Sequence, residues 1–407
     1  MQCNEVFKKF VVEHAGDDVN TLILNASRYK DVDVKPAAEQ IAARRVIREK
    51  LPEWHDNPDL FFPSVTAAEQ CSSELTAHYK QRFVNEEDTV YDLTGGLGVD
   101  TYYFAQKAKQ VVYIERNKKY CEAASHNFQI LQANNIKVIN ADSQIFINHP
   151  YPSHEGKFNY TLNTKNYTLY LDPSRRNAAN KRLYALEDCE PDLSKIWSDL
   201  RKIADKIIVK LSPMLDISHI VEKLPGISEI HIVSVRNDCK EVIAIAENRE
   251  NISVKIFCIN YLSDKSEQTF TYFWNEEKTA EIRCTSEIKK YLYEPNASIL
   301  KAGAYKSVAR QLNLEKLHPG SHLYTSDEAM RDFPGRIFQV IEMYPFHNQA
   351  CKELTAAVAK ANITVRNFPL SAEALKKRLK IRDGGDIYLF ATTLQDIRKV
   401  LIRCVKA

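Results

Sequence analysis

Val90-Tyr91-Asp92-Leu93-Thr94-Gly95-Gly96-Leu97-Gly98-Val99-Asp100 joins a short apolar run to an acid, and then to a glycine turn that opens a helix. Glycine lets backbone approach a ligand with no Cβ in the way, and the first amides of a helix attract a carboxylate or phosphate. Thr94 adds a hydroxyl at the same place. A plain strand-to-helix turn would use the same glycines, so the neighbouring segments have to decide. The spacing argues against two cradles. Counted from Gly96 and Gly98, the third position of a dinucleotide turn is Thr101, and no Gly-Lys-Ser/Thr phosphate loop is present.

The following segments repeat the pattern of an apolar strand ending in an acid. Gln110-Val111-Val112-Tyr113-Ile114-Glu115 comes first, and a carboxylate placed there can accept both hydroxyls of a ribose. Lys137-Val138-Ile139-Asn140-Ala141-Asp142 and Thr168-Leu169-Tyr170-Leu171-Asp172-Pro173 follow. Any one acid would serve as a helix N-cap. In this order, four acids at carboxyl ends fit the rule that ligands of open α/β sheets bind beyond the strand ends, where strand order reverses. Lys206 to Pro213 reads as a fifth strand, and Glu229 to Ser234 with Val242 to Ala246 as a last pair joined by a hairpin at Asn237-Asp238. Lys210 ends the fifth strand at the site edge, either touching substrate or laying its stem on apolar surface with its ammonium in water.

The stretch from Val90 resembles motif I of the class I S-adenosylmethionine (SAM) dependent methyltransferases, Asp/Glu-x-Gly-x-Gly-x-Gly, with Thr94 in place of the first glycine, and the resemblance extends over about Val90 to Glu247. It implies an α/β fold with a Rossmann-like seven-stranded sheet. It also implies a SAM site built from Asp92, Thr94, Gly95, Gly96 and Gly98, with Glu115 on the ribose, Asp142 beside the adenine amine and Asp172 facing the acceptor atom. Relatives that methylate amines carry Asp/Asn-Pro-Pro-Tyr/Phe after the fourth strand, whereas Pro173 is followed here by Ser174, Arg175 and Arg176. The aromatic that would stack on a flipped base is missing, which puts transfer to a base amine in doubt. Pro173, Arg175 and Arg176 become substrate-side candidates, since guanidinium forks suit phosphate. An arginine paired with Asp172 or a neighbouring acid explains them equally well. Cys189, between Asp188 and Glu190, sits in a setting that disfavours a thiolate, so it is read as ordinary.

At 407 residues the chain calls for two to four domains. No apolar run approaches a membrane span, Met1 to Gly16 lacks the apolar stretch of a signal peptide, and a cytoplasmic location is expected. The cysteines are scattered without a Cys-x-x-Cys pair or ligand-spaced histidines, so neither a metal nor disulfides are expected. From Arg336 to Ala407 there are 13 Lys and Arg against 6 Asp and Glu, a balance of +7 that leaves −4 for the rest of a chain whose total is +3. The terminal segment is therefore a candidate polyanion-binding face.

Four regions are expected: 1–84 helical, 85–250 the methyltransferase domain, 251–330 a small α+β module, and 331–407 a basic module. In the first, Lys35 to Leu51 and Ser64 to Phe83 read as helices, and the face of the second with Glu69, Gln70 and Ser73 either closes over the methionine end of SAM or is solvated. The third carries extended runs at Ile252 to Ile259 and Thr269 to Trp274, and a helical segment beginning at Tyr291 and continuing to about Leu312. The fourth reads as a strand to Met343, a helix to Ala361, a strand to Asn367, a helix from Ser371 to Leu379 and a strand-helix pair from Ile387. Lys376, Lys377 and Arg378 are its candidate phosphate contacts, weighed against an ordinary solvated helix face.

The core with Asp172-Pro173-Ser174-Arg175-Arg176, the segment Tyr291-Leu292-Tyr293-Glu294-Pro295-Asn296-Ala297-Ser298-Ile299-Leu300-Lys301-Ala302-Gly303 and the basic terminus together resemble bacterial methyltransferase-like proteins with a ferredoxin-like middle piece and a THUMP-like C-terminal domain. The resemblance implies a SAM-dependent methyltransferase acting on RNA, tRNA or rRNA, with Asp172 as the catalytic residue. Two alternatives stay open: an RNA-binding protein that keeps a SAM pocket without turnover, and a methyltransferase of proteins or small molecules. The sequence does not fix the oligomeric state.

Overall fold

The computed structural model describes residues 4–144, 167–175, 186–247 and 253–407. Two compact units divide the chain. The first comprises Met1–Leu211, Glu222–Ile227 and Ala244–Glu250, and the second Ser212–Val221, Ser228–Ile243 and Asn251–Ala407.

The first unit begins with short helices. Val34–Ile47 is the longest of them; its buried Ala43 and Ile47 join Leu51, Trp54 and Phe62 in a core that reaches Leu97, Val99 and Tyr103 of the glycine turn and the helix after it. The helix expected over Ser64 to Phe83 is two helices, Val65–Gln70 and Glu74–Gln81. Cys71 is extended, and the Ser73 side chain accepts from the Thr76 N–H, so a hydroxyl that competes with the helix ladder restarts it as a cap.

Parallel strands follow: β1 (Thr89–Asp92), β2 (Gln110–Glu115), β3 (Ile136–Asn140) and β4 (Tyr167–Leu171), then a two-residue pair, β5 (Ser174–Arg175) and β6 (Cys189–Glu190), and β7 (Lys206–Leu211). β1 pairs with both β2 and β4, β3 lies outside β2, and β7 outside β4. The chain therefore winds away from β1 in one direction and then in the other, and the switch point falls between β1 and β4. Register sets Asp92 opposite Tyr113 on one side and Tyr170 on the other, so the carboxyl ends of the strands line up.

In the chain beyond, β8 (Ile227–Val235) and β9 (Asp238–Glu247) are joined through Arg236 and Asn237, both at positive φ, as a two-residue type I′ turn requires. With these the seven expected strands are present, and two more are added. β10 (Lys255–Tyr261) runs parallel to β8, and β11 (Glu267–Phe273) pairs antiparallel with β10. The boundary expected between 250 and 251 lies outside the described residues.

A second sheet fills the rest of the second unit. Its strands are β12 (Tyr291–Pro295), β13 (Glu315–Lys316), β14 (Tyr324–Ser326), β15 (Gly335–Pro345), β16 (Asn362–Arg366), β17 (Tyr388–Thr393) and β18 (Lys399–Lys406), in the order β13-β14-β12-β15-β18-β17-β16. Two expectations fail here. Tyr291 to Pro295 is a strand between β14 and β15 rather than the start of a helix; the helix begins only after Asn296, whose side chain accepts from the Ile299 N–H. The chain end is two antiparallel strands rather than a strand and a helix. Val400, Leu401, Ile402 and Cys404 are all buried, and an apolar run broken only by Arg403 carries too little periodicity to separate strand from helix.

Candidate active site

β1 ends at Asp92, which is buried beneath the glycine turn. Its carboxylate accepts from the Thr94 N–H at 3.0 Å and the Thr101 hydroxyl at 2.6 Å. Burial pushes the carboxyl up to about 7 against those hydrogen bonds, and the charges of Asp100 and Asp172 add to the rise. The Thr94 hydroxyl accepts from the Asp172 N–H at 2.6 Å, tying the turn to the end of β4.

The turn is shaped from below. A Cβ on Gly95 would lie 2.3 Å from the Tyr113 ring, and one on Gly98, at φ +85°, would lie 2.7 Å from Phe128. The Tyr113 hydroxyl donates to the Gly96 carbonyl at 2.6 Å. Gly96 differs: at φ +54°, its added Cβ would meet nothing nearer than the Thr94 carbonyl at 3.7 Å. The Gly96 N–H donates to Glu115 Oε2 at 3.0 Å, and the other oxygen of Glu115 accepts from the Asn117 N–H at 2.7 Å. Half-buried Asp142, just past β3, accepts from the Gln144 N–H at 2.8 Å.

Beside this cradle, Asp172 Oδ2 accepts from Lys210 Nζ at 2.5 Å, with side-chain exposures of 34% and 13%. Lys210 is thus an ion-pair partner held at the strand ends. It is not a lysine reaching out to water. Cys71 lies within the fields of Lys50, Lys210, Asp100 and Asp172, and burial pushes its thiol up to about 11. Behind the turn, Lys80 Nζ stands 3.3 Å from Asp100, whose other oxygen accepts from Ser72 at 2.8 Å and Tyr170 at 2.6 Å. Burial alone would raise the Asp100 carboxyl, but Lys80, Lys210 and the two hydroxyls outweigh it and hold it below the usual range. Pro173 is buried, Arg175 pairs with Cys189 between β5 and β6, and Arg176 lies outside the described residues.

Sequence reasoning missed Ser72, Lys80 and Tyr170. Their common partner Asp100 stood in the quoted motif, and Thr101 stood out as the residue in the third glycine position. Nothing local pointed to the others.

In the second unit, Lys376, Lys377 and Arg378 occupy the last turn of the helix Ala372–Leu379. Lys376 pairs with Asp383, Arg378 donates to Asn348 at 3.1 Å and lies 4.7 Å over the Phe346 ring, and Lys377 is exposed. Among the described residues, no helix is long and apolar enough to cross a membrane.

A parallel sheet with its switch point at β1, whose successive strand ends carry Asp92, Glu115, Asp142 and Asp172, defines a class I methyltransferase domain. Residues 72–151 match the family model of ribosomal RNA adenine dimethylases, 291–334 a ferredoxin-like domain and 335–406 a THUMP domain-like family. A crystal structure from Porphyromonas gingivalis W83, described as a "putative methyltransferase", is 36% identical, covers 98% of this chain and 97% of its own, and superposes with a TM-score of 0.86. The chain belongs to the methyltransferase family that this protein represents. The protein MJ1452 of Methanocaldococcus jannaschii is 30% identical over 100 residues, 25% of this chain, which spans 36% of that relative's length. An rRNA methylase from Streptococcus thermophilus is 11% identical, with 42% of this chain and 93% of its own covered at a TM-score of 0.29.

Proposed function

We propose that the protein is a SAM-dependent methyltransferase acting on RNA. The observation that carries the cofactor assignment is the contact of Glu115 with the Gly96 N–H, because it sets a partly exposed carboxylate beside the one motif I glycine at which an added Cβ would meet no side chain. The donor set fits a nucleoside with an attached amino acid. Backbone at Gly95, Gly96 and Gly98, with Thr94, would hold the methionine moiety; Glu115 would take the ribose hydroxyls and Asp142 the adenine amine. Asp92, committed to Thr94 and Thr101, would hold the turn in shape. Bound SAM supplies a methyl group already activated by its sulfonium.

The work left to the chain is alignment and a proton acceptor, which Asp172 would provide. Pro173, Arg175 and Arg176 are the proposed substrate-side residues on the ground of their sequence positions directly after Asp172. The RNA assignment is supported by the terminal module, with its balance of +7 and its THUMP domain-like match, where Lys376, Lys377 and Arg378 would meet phosphates.

The test is to incubate the protein with methyl-labelled SAM and size-fractionated RNA from cells lacking the gene, with genomic DNA and protein extract as parallel acceptors. Label in an RNA fraction, lost with Asp172→Ala, is the expected result. SAM binding without label in any RNA would favour a binding protein, and label in the protein extract another substrate class.

A further inference from the structure

We infer that Lys210 and Asp172 form an acceptor-recognition pair for a ring N–H flanked by a carbonyl, the lactam edge of guanine or uracil in RNA; this rests on the RNA methyltransferase reading above. The two residues follow directly on the registered pair Leu171↔Val209, at the carboxyl ends of adjacent parallel strands β4 and β7. Their 2.5 Å contact sets a carboxylate acceptor and an ammonium donor side by side, the carboxylate being the more open of the two. Such a face matches a base edge that offers a hydrogen next to an oxygen.

The chemistry separates lactam from amine. An exocyclic amine attacks with its hydrogens still on, and positive charge builds on the base before a proton leaves. A neighbouring ammonium opposes that build-up and, by donating to the adjacent ring nitrogen, withdraws electrons from the amine. A lactam N–H has to give up its proton instead. The N–H bond breaks toward the Asp172 carboxylate, the N–CH₃ bond forms as the S–CH₃ bond of the sulfonium breaks, and the thioether leaves. The electron density left on the carbonyl oxygen is met by the Lys210 ammonium, so the cation helps where it would otherwise hinder.

The residues around the pair agree. Ser174 and Arg175 stand where amine-methylating relatives carry a proline and a stacking aromatic. The neighbouring thiol of Cys71, held protonated by burial, is not an available nucleophile for attack on a pyrimidine carbon.

The experiment digests RNA methylated by the wild type and by the Lys210→Met, Lys210→Arg and Asp172→Asn variants, and identifies the methylated nucleosides by mass spectrometry. Calorimetry of SAM binding and thermal melting are run on each variant. The expected product is a ring-nitrogen methyl on guanosine or uridine. Lys210→Met should lower kcat by about 100-fold, the size of losing one aligned donor, with SAM affinity within about twofold and partial rescue by Lys210→Arg. A methylated exocyclic amine, or a Lys210→Met rate equal to wild type, overturns the inference and leaves RNA methylation standing. Label in no RNA at all overturns that reading, and the inference falls with it. If Lys210→Met fails to fold, the product identity and the Lys210→Arg rate decide.

Discussion

The Thr94 hydroxyl accepts a hydrogen bond from the Asp172 backbone N–H at 2.6 Å, so one oxygen joins the turn after β1 to the end of β4. Thr94→Val keeps the shape of the side chain and removes the acceptor. We expect a loss of about 1–3 kcal/mol in urea unfolding, the cost of leaving a partly buried donor unpaired, whereas Thr94→Ser should stay near the parent. Equal midpoints for Thr94→Val and the parent would mean that water replaces the hydroxyl.

Lys80 and Asp100 form a buried pair, with side-chain exposures of 0% and 9%. Lys80→Met removes the stronger of the two cations that act on the buried Asp100 carboxylate, leaving the field of Lys210, and should cost up to about 3–5 kcal/mol. Adding Asp100→Asn should recover much of that. A double-mutant cycle read by thermal unfolding checks both, and purely additive losses would show that the two charges do not couple.

Stability against pH should carry a mark of Asp92. Its folded carboxyl titrates at about 7, above the roughly 3.9 of an unfolded chain, so the folded state binds the extra proton between those values. The stability contribution of this group is whole below pH ~4 and is lost as pH rises toward 7. Asp100, held low, works with the opposite sign: its contribution is present above the unfolded value and is lost as pH falls. Asp92→Asn should flatten the decline between pH ~4 and 7. An unchanged melting-temperature profile for Asp92→Asn would contradict burial as the cause.

The part of the candidate site that is legible in the chain is the part that is local. Asp92, Glu115, Asp142 and Asp172 each end an apolar run, and Gly96 and Gly98 sit in a turn whose backbone demands them. Lys80 meets Asp100, and Lys210 meets Asp172, only because helices and strands distant in sequence are packed together, and no spacing rule encodes that. The failures in the second unit have a different origin. Tyr291 to Pro295 and Val400 to Cys404 are nearly continuous buried runs, where apolar content gives burial without giving period.

Lys377 is exposed, so Lys377→Ala should leave folding unchanged within about 0.5 kcal/mol. If it touches an RNA phosphate, the slope of log affinity against log salt should fall by about one. Filter binding over a salt series measures it, and an unchanged slope would remove Lys377 from the RNA face.

The aromatic floor under the turn changes what a substitution there can report. Tyr113 and Phe128 already claim the space behind Gly95 and Gly98, so a methyl group at either position injures the fold whether or not a ligand exists. At Gly96 the same methyl group would meet only the Thr94 carbonyl, at an ordinary contact distance of 3.7 Å, with its positive φ as the handicap. A defect confined to ligand affinity in Gly96→Ala would therefore be a footprint of the bound molecule, whereas the same defect in its neighbours would be ambiguous.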